Sequence, residues 1–320
     1  MAGGIYVARG EGDASNRPSL KYQRTRRSAG ERVIKALLAA AALLSVLTTT
    51  GIVVSLIADS RDFFREVPIG DYLFGTEWQP LSGGAQQSFG VLPLLWSTIY
   101  LTIVGLAVAV PLGLLSAIYL AEYASPRVRR ILKPVLEILA GIPTIVFGYF
   151  ALTFFTPLLK EQLGIELQIF NGLSAGIVLG FLVLPTIASV GEDALSAVPY
   201  SLREGAYGLG AAKRQVVMRV VFPAALSGIV AALVLGASRA IGETVLILVA
   251  AGNSPNLSLD LTESHQNMAA FIANTARGDI AQGGVAFATI FAVGLTLFVI
   301  TLALNMIAIR FVRKYRQVYE

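Results

Sequence analysis

Two charged side chains, Arg239 and Glu243, stand in an otherwise apolar run, "GASRAIGETVLIL", residues 236–248. Placing an arginine at the centre of a bilayer costs about 2.5–3.5 kcal/mol on insertion scales. The i,i+4 spacing lets the two bridge on a helix. In water, however, such a pair contributes only about 0.2–0.5 kcal/mol, and Arg ahead of Glu is the less favourable order. Apolar side chains in place of a desolvated ion pair are often at least as stable. Stability is therefore a poor reason for the pair, and chemistry is a better one. A guanidinium stays charged and offers planar, two-pronged donation to a tetrahedral oxyanion. Glu243 would hold Arg239 when the site is empty and weaken its grip when it is full, since transport needs exit as well as entry. Thr244 adjoins the pair and joins the expected substrate path.

Other polar groups carry weaker expectations. Glu137 sits about two turns inside the third apolar run, where it can face a path, pair with a basic neighbour or snorkel to the interface. Thr144 follows Gly141-Ile142-Pro143, so it is either a path-lining hydroxyl or part of a proline kink. Glu122, at the end of a run, is expected at the interface. His265, in a polar connection, is expected to be solvated. There are no cysteines and one histidine, which excludes disulfides, thiolate catalysis and Cys-based or multi-His metal sites.

Of the 320 residues, 55% are hydrophobic and 14% charged, against about 25% charged in soluble domains. Mean hydropathy is +0.69. These values indicate an integral membrane protein. Six apolar runs are long enough to cross about 30 Å of hydrocarbon: 33–58, 92–120, 131–159, 173–190, 223–250 and 285–309. Several contain prolines, which membrane helices tolerate because neighbouring groups re-satisfy the backbone. Period-2 alternation is absent, which argues against a barrel. The expected fold class is all-α, with six transmembrane helices. Residues 1–30 form a basic tail, 31–312 the membrane domain with a loop at 191–222, and 313–320 a second tail.

Eighteen of the 25 Lys and Arg fall before the first run, between the second and third, between the fourth and fifth, and after the sixth, and Lys35 and Lys133 stand within the first turn of the first and third runs. By the positive-inside bias, both termini and these loops face the cytoplasm. The stretch "KYQRTRRSAGERVIK" reads as a topogenic signal ahead of the first span, and no nucleic-acid partner is expected. The tail is too long and polar, and the following run too long, for a cleavable signal peptide. On the other side, "DYLFGTEWQPLSGG" reads as an ordered cap or docking surface, and a short amphipathic helix is expected near 267–276.

In the fifth run Ala224, Gly228, Ala232, Gly236, Ala240 and Thr244 recur every four residues, a small-residue stripe that permits close helix packing. By 1.5 Å per residue, Arg239 lies roughly 24 Å along the axis from Pro223. The loop ahead of this run is too structured for a simple turn. Ser201 and Glu204 have capping-box spacing, which starts a helix near Leu202. Gly205, Gly208 and Gly210 permit close approach of another backbone.

That loop carries a resemblance. Glu204-Gly205-Ala206, three residues, Gly210, nine residues and Val220-Val221-Phe222-Pro223 is similar to the EAA signature of permeases in ATP-binding-cassette importers. The departures are Gly205, Val220 and Phe222. The resemblance implies a type I ABC importer permease fold, in which Glu204, Gly205, Ala206 and Gly210, flanked by Ser201 and Pro223, contact an ATPase subunit. A narrower one covers the chain from about Asp71 onward. The segments "AIYLAEYASP", "LKPVLEILAGIPTIVFGYFAL", "GEDALSAVPYSLREGAYGLGA" and "SRAIGETVL" resemble the PstC-type permease subunit of phosphate importers. The departures are Thr144, usually Ser, and Val245, usually Met. The PstA-type subunit shares the Arg-Ala-x-Gly-Glu-Thr core.

The resemblance implies a multi-pass protein of the bacterial inner membrane that moves phosphate without catalysing covalent chemistry. Its implied partners are a PstA-type second permease, two cytoplasmic ATPase subunits and an external phosphate-binding protein. No G-x-x-x-x-G-K-[ST] loop occurs, so no cofactor is expected in this chain, and ATP and Mg would be bound by the partner ATPase. The rival readings are a permease for another oxyanion such as sulfate or molybdate, a stand-alone secondary transporter, and a non-transporting sensor or scaffold.

Overall fold

The computed structural model describes residues 27–82, 86–278 and 283–315. Residues 1–26 of the expected basic tail and 316–320 of the expected C-terminal tail lie outside them. The chain divides into two compact units, Met1–Ile52 and Val53–Glu320.

The described part of the first unit belongs to helix α1 (Arg27–Glu66). From residue 30 to 52 its side chains are exposed, including Val33, Ile34, Leu37, Leu38, Leu43 and Leu44. A helix apolar all round belongs in a membrane.

In the second unit, α2 (Ile69–Phe74) precedes a two-stranded antiparallel ribbon, β1 (Trp78–Gln79) and β2 (Ser88–Phe89), with Trp78 opposite Phe89. Edge-to-face contacts join Phe63, Phe64, Tyr72, Trp78, Phe89 and Phe271. The aromatic segment is thus an ordered cap. Gly75 and Gly90 make it possible, since a Cβ on Gly75 would lie 2.6 Å from the Gly90 Cα.

Helices α3 (Leu92–Ile118, extended by a π turn at Tyr119–Tyr123) and α7 (Gly172–Ser196) form the central pair. Glycines on each receive branched side chains from the other. A Cβ on Gly176 would lie 2.6 Å from Val104 Cγ1, and one on Gly113 would lie 2.9 Å from Ile187 Cγ2. Such knob-on-glycine contacts are how helices associate where lipid removes the hydrophobic driving force.

Between them lie α4 (Pro126–Ala140), α5 (Thr144–Phe150) and α6 (Thr156–Leu163), the last two joined by a π turn at Ala151–Phe155. The third apolar run is not straight: α4 bends 89° from α5–α6. Pro143 lacks an N–H and disfavours helical geometry at Ile142.

The loop after α7 folds into α8 (Tyr200–Gly208) and α9 (Lys213–Val216), then a π turn (Val217–Val221) and α10 (Phe222–Ala224). The fifth run, expected as one helix, is broken twice. Lys213–Ala224 bends 70° from α11 (Leu226–Ile241), and residues 242–244 separate α11 from α12 (Val245–Ala250). Then follow α13 (Met268–Arg277), where an amphipathic helix was expected, and α14 (Val285–Tyr315).

Among the described residues, four helices are long and apolar enough to cross a membrane, and the two bent pairs raise this to six if each is one span.

Candidate functional site

Arg239 sits in the last turn of α11, half-buried, and its Nη1 donates to Thr186 Oγ1 on α7 at 3.1 Å. Glu243 is 8% exposed but lies beyond the end of that helix. Its Oε1 accepts from Leu246 N at 3.1 Å, and its backbone carbonyl accepts from Asn267 Nδ2 at 2.9 Å. The expected i,i+4 bridge is therefore absent: Arg239 and Glu243 share no ion pair among the described residues. The reason is backbone geometry. Ile241 ends the helix, and the carboxylate takes the amide of the next one instead. Thr244, half-buried, donates its hydroxyl to Gly242 O at 3.1 Å.

The expected small-residue stripe meets α7 over its central part. A Cβ on Gly228 would lie 2.5 Å from Ala194 Cβ, and one on Gly236 would lie 2.7 Å from Ile187 Cγ1. Ala232 and Ala240 are buried. Ala224 and Thr244 fall outside this face, because the bend at Ala225 and the break at 242–244 take them off the axis of α11.

Thr144 opens α5 just after the Pro143 break and is half-buried. One turn on, Gly148 abuts α12: its Cβ would meet Val249 Cβ at 2.9 Å and Leu246 Cα at 3.3 Å. The interrupted starts of α5 and α12 thus lie within about a turn of each other. Discontinuous helices whose ends face a polar group are how membrane transporters build substrate sites. Thr144 and Thr244 stand at these two interruptions and Arg239 lies in the last turn of α11 before the second, whereas Glu137 is on neither. Glu137 lies on α4, which buries none of its residues, and it is exposed.

The loop helix α8 begins at Tyr200 after Pro199, with no side-chain cap. The expected Ser201–Glu204 capping box is not formed, because Ser201 is already the second residue inside the helix. Ser201, Glu204 and Gly205 are exposed, and Ala206 packs half-buried against the buried cluster that includes Val216 and Val221. Among the described residues nothing lies within 4 Å of a Cβ built on Gly205 or Gly208. Gly210 has φ +79°, the left-handed conformation that glycine adopts without strain. Pro223 is exposed just ahead of the 70° bend. Tyr200, Tyr207 and Leu209 are also exposed, Leu209 by 91%.

Beneath α8 lies a charged network that sequence spacing did not reveal. Arg203, on its inward side, donates to Glu122 Oε1 through Nη2 at 2.8 Å and Nε at 3.2 Å. It also donates to the carbonyls of Leu195 and Val198. Glu122, expected at the interface, is 7% exposed at its side chain. Glu192, fully buried on α7, pairs with Arg129 and, at 2.6 Å, with Lys133, both on α4. Lys133 also reaches Asp193 at 2.9 Å. The available signal was a carboxylate inside the apolar helix α7, but its partners stand about sixty residues away.

His265 corrects another expectation. It is 0% exposed, with Nε2 2.9 Å from Asp260 O and Nδ1 3.4 Å from Ser97 Oγ. Trp96 Nε1 donates to Ser258 O, and Tyr100 Oη to Leu259 O. The connection after α12 is therefore folded onto α3 rather than solvated. Hydrogen bonds from the Thr262 hydroxyl and N–H, with His265 nearby, hold the Asp260 carboxyl below its usual range.

Residues 109–317 match the family described as "Binding-protein-dependent transport system inner membrane component". The chain belongs to this permease family. Over 306 residues the permease is 33% identical to the phosphate transport system permease protein PstC of Haemophilus influenzae, covering 90% of this chain and 94% of that one. A probable ABC transporter permease protein of Bacillus subtilis, YqgH, is 33% identical over 249 residues, covering 78% and 79%. In fold, the permease resembles a chain of a bacterial ABC transporter involved in import of the acidic polysaccharide alginate. That match has a TM-score of 0.61 at 15% identity and covers 91% of this chain and 100% of that one. It also resembles a chain of the MetNI methionine ABC transporter, at TM-score 0.53 and 22% identity, covering 71% and 95%. The fold is that of type I ABC importer permeases, and the chain is a multi-pass inner-membrane component.

Proposed function

We propose that this permease forms part of the inward path for phosphate in an ATP-driven importer. Both termini, α8 and the Glu192 network would face the cytoplasm. The observation that carries the reading is Arg239. It is the one Lys or Arg within α11 and α12, and it rests on a hydroxyl rather than a carboxylate. A guanidinium held, among the described residues, by Thr186 alone keeps donors free for an oxyanion. The proximity of the interrupted starts of α5 and α12 supports a path there, as do the PstC names of relatives at about this identity.

In this reading α8 seats on a cytoplasmic ATPase subunit through Glu204, Gly205, Ala206 and the exposed Tyr200, Tyr207 and Leu209. The chain itself catalyses no covalent step, and ATP and Mg are held by the ATPase. A second, PstA-type permease completes the path, and an external phosphate-binding protein delivers the anion.

The test is uptake of radiolabelled phosphate by the reconstituted complex. Arg239→Gln is expected to lower uptake at least about tenfold, the value of one lost hydrogen bond to a charged group, with the complex intact on gel filtration. Sulfate and molybdate are expected to compete weakly. Normal uptake by the variant overturns the role of Arg239, and strong competition reassigns the substrate to another oxyanion.

A further inference from the structure

Helix α4 buries none of its fifteen residues. At 3.6 residues per turn, Val128, Ile131, Leu132, Val135, Ile138 and Leu139 share one face, and Arg129, Lys133 and Glu137 point the other way. Ile131 and Ile138 are 66% and 69% exposed. The axis bends 89° from α5–α6. Thr144–Leu163 measures about 30 Å at 1.5 Å per residue, enough to cross the hydrocarbon by itself, which would leave α4 along the bilayer surface. A helix with an apolar face, a charged opposite face and an in-plane axis is built for a membrane interface.

Its basic side chains divide into two sets. Arg129 and Lys133 are occupied by Glu192 and Asp193. Arg127 and Arg130 are exposed and have no ion-pair partner among the described residues. Arg130 also lines a cleft of about 490 Å³ between α4 and the π turn after α3, together with Leu120, Ala121, Lys133 and Glu137. Basic clefts beside spans on the cytoplasmic side suit anionic headgroups. A zwitterionic bilayer would satisfy the apolar face but leave the two arginines without counter-charge.

We propose that α4 binds anionic phospholipid, its apolar face among the acyl chains and Arg127 and Arg130 on the headgroup phosphates. Through Arg129 and Lys133 on Glu192, the bound lipid then holds the end of α7 that leads into α8. Only the placement of this surface on the cytoplasmic leaflet rests on the proposed function. The binding itself does not depend on what the permease carries.

The chain contains no cysteine, so Ile138→Cys gives it a single attachment point for a fluorophore. The labelled complex is placed in nanodiscs containing phosphatidylglycerol or phosphatidylcholine brominated on the acyl chains. The expected result is quenching at position 138 with a preference for phosphatidylglycerol. That preference should fall about tenfold in Arg127→Gln/Arg130→Gln and persist in Arg127→Lys/Arg130→Lys. Absence of quenching, with a photo-crosslinker at 138 capturing the second permease chain, overturns the proposal. So does an unchanged preference in the Gln variant, or its loss in the Lys variant. Millimolar free phosphate is expected to leave the preference intact; its loss would assign the cleft to the free anion instead. Failure of Arg239→Gln to alter uptake would leave these outcomes untouched.

Discussion

Arg239 and Glu243 illustrate how far spacing can mislead at the scale of a residue. Four residues apart, they look like a pair, but Glu243 serves as the acceptor for Leu246 N at the start of α12. This gives the carboxylate two separable properties, an acceptor oxygen and a charge. Glu243→Gln keeps the oxygen and loses the charge, whereas Glu243→Ala loses both. Glu243→Gln is expected to leave the unfolding temperature near wild type while altering uptake or uncoupling ATP hydrolysis. Glu243→Ala is expected to lose about 1 kcal/mol of stability as well. Unchanged uptake in Glu243→Gln would reduce the side chain to a scaffold.

Helix packing accounts for the stripe on α11, and two glycines with opposite surroundings test it at the scale of an element. Gly236 faces Ile187 at a distance no Cβ tolerates, so Gly236→Ala is expected to cost about 1–3 kcal/mol by overpacking. Among the described residues nothing lies within 4 Å of a Cβ on Gly205, so in the permease alone Gly205→Ala is expected to gain up to about 1 kcal/mol from helix propensity. Thermal unfolding of the permease chain purified without its ATPase distinguishes them by sign.

The connection after α12 makes a pH prediction at the same scale. Asp260 is held below its usual value, so its contribution is complete above the unfolded value of about 3.9. It is lost as pH falls further, through the lower folded value. Trp96, bound to Ser258 O in this connection, is expected to report the loosening by fluorescence only below about pH 4. A transition centred well above pH 4 would overturn the role of Asp260.

For the whole molecule, the consequential contact is Arg203, which ties α8 to both α3 and α7 through Glu122, Leu195 and Val198. Removing one partner of a buried pair leaves the other uncompensated, at a cost of about 3–5 kcal/mol. Arg203→Met is expected to lower the unfolding temperature of the complex and raise the ATP hydrolysed per substrate moved. Adding Glu122→Leu should recover much of the stability. It should not recover all of it, since the two carbonyls still lack their donor. Full recovery of both readouts would mean that Arg203 serves Glu122 alone.

Membrane class, six apolar runs, the EAA spacing and the small-residue stripe were all legible in the sequence. Each is a local pattern, set by hydropathy over one span or by residues within a few helical turns. The breaks at Pro143, Ala225 and Gly242 were only partly legible. Pro143 announced itself, whereas the end of α11 at Ile241 depends on Glu243 and Asn267 capturing backbone groups around it. Tertiary structure alone decided that His265 is buried, that Arg239 rests on Thr186, and that Glu122 and Glu192 find partners 81 and 63 residues away. Periodicity says which face of a helix is apolar. Which charges meet depends on how α3, α4, α7 and α8 pack, and there burial makes an unpaired charge too costly to leave alone.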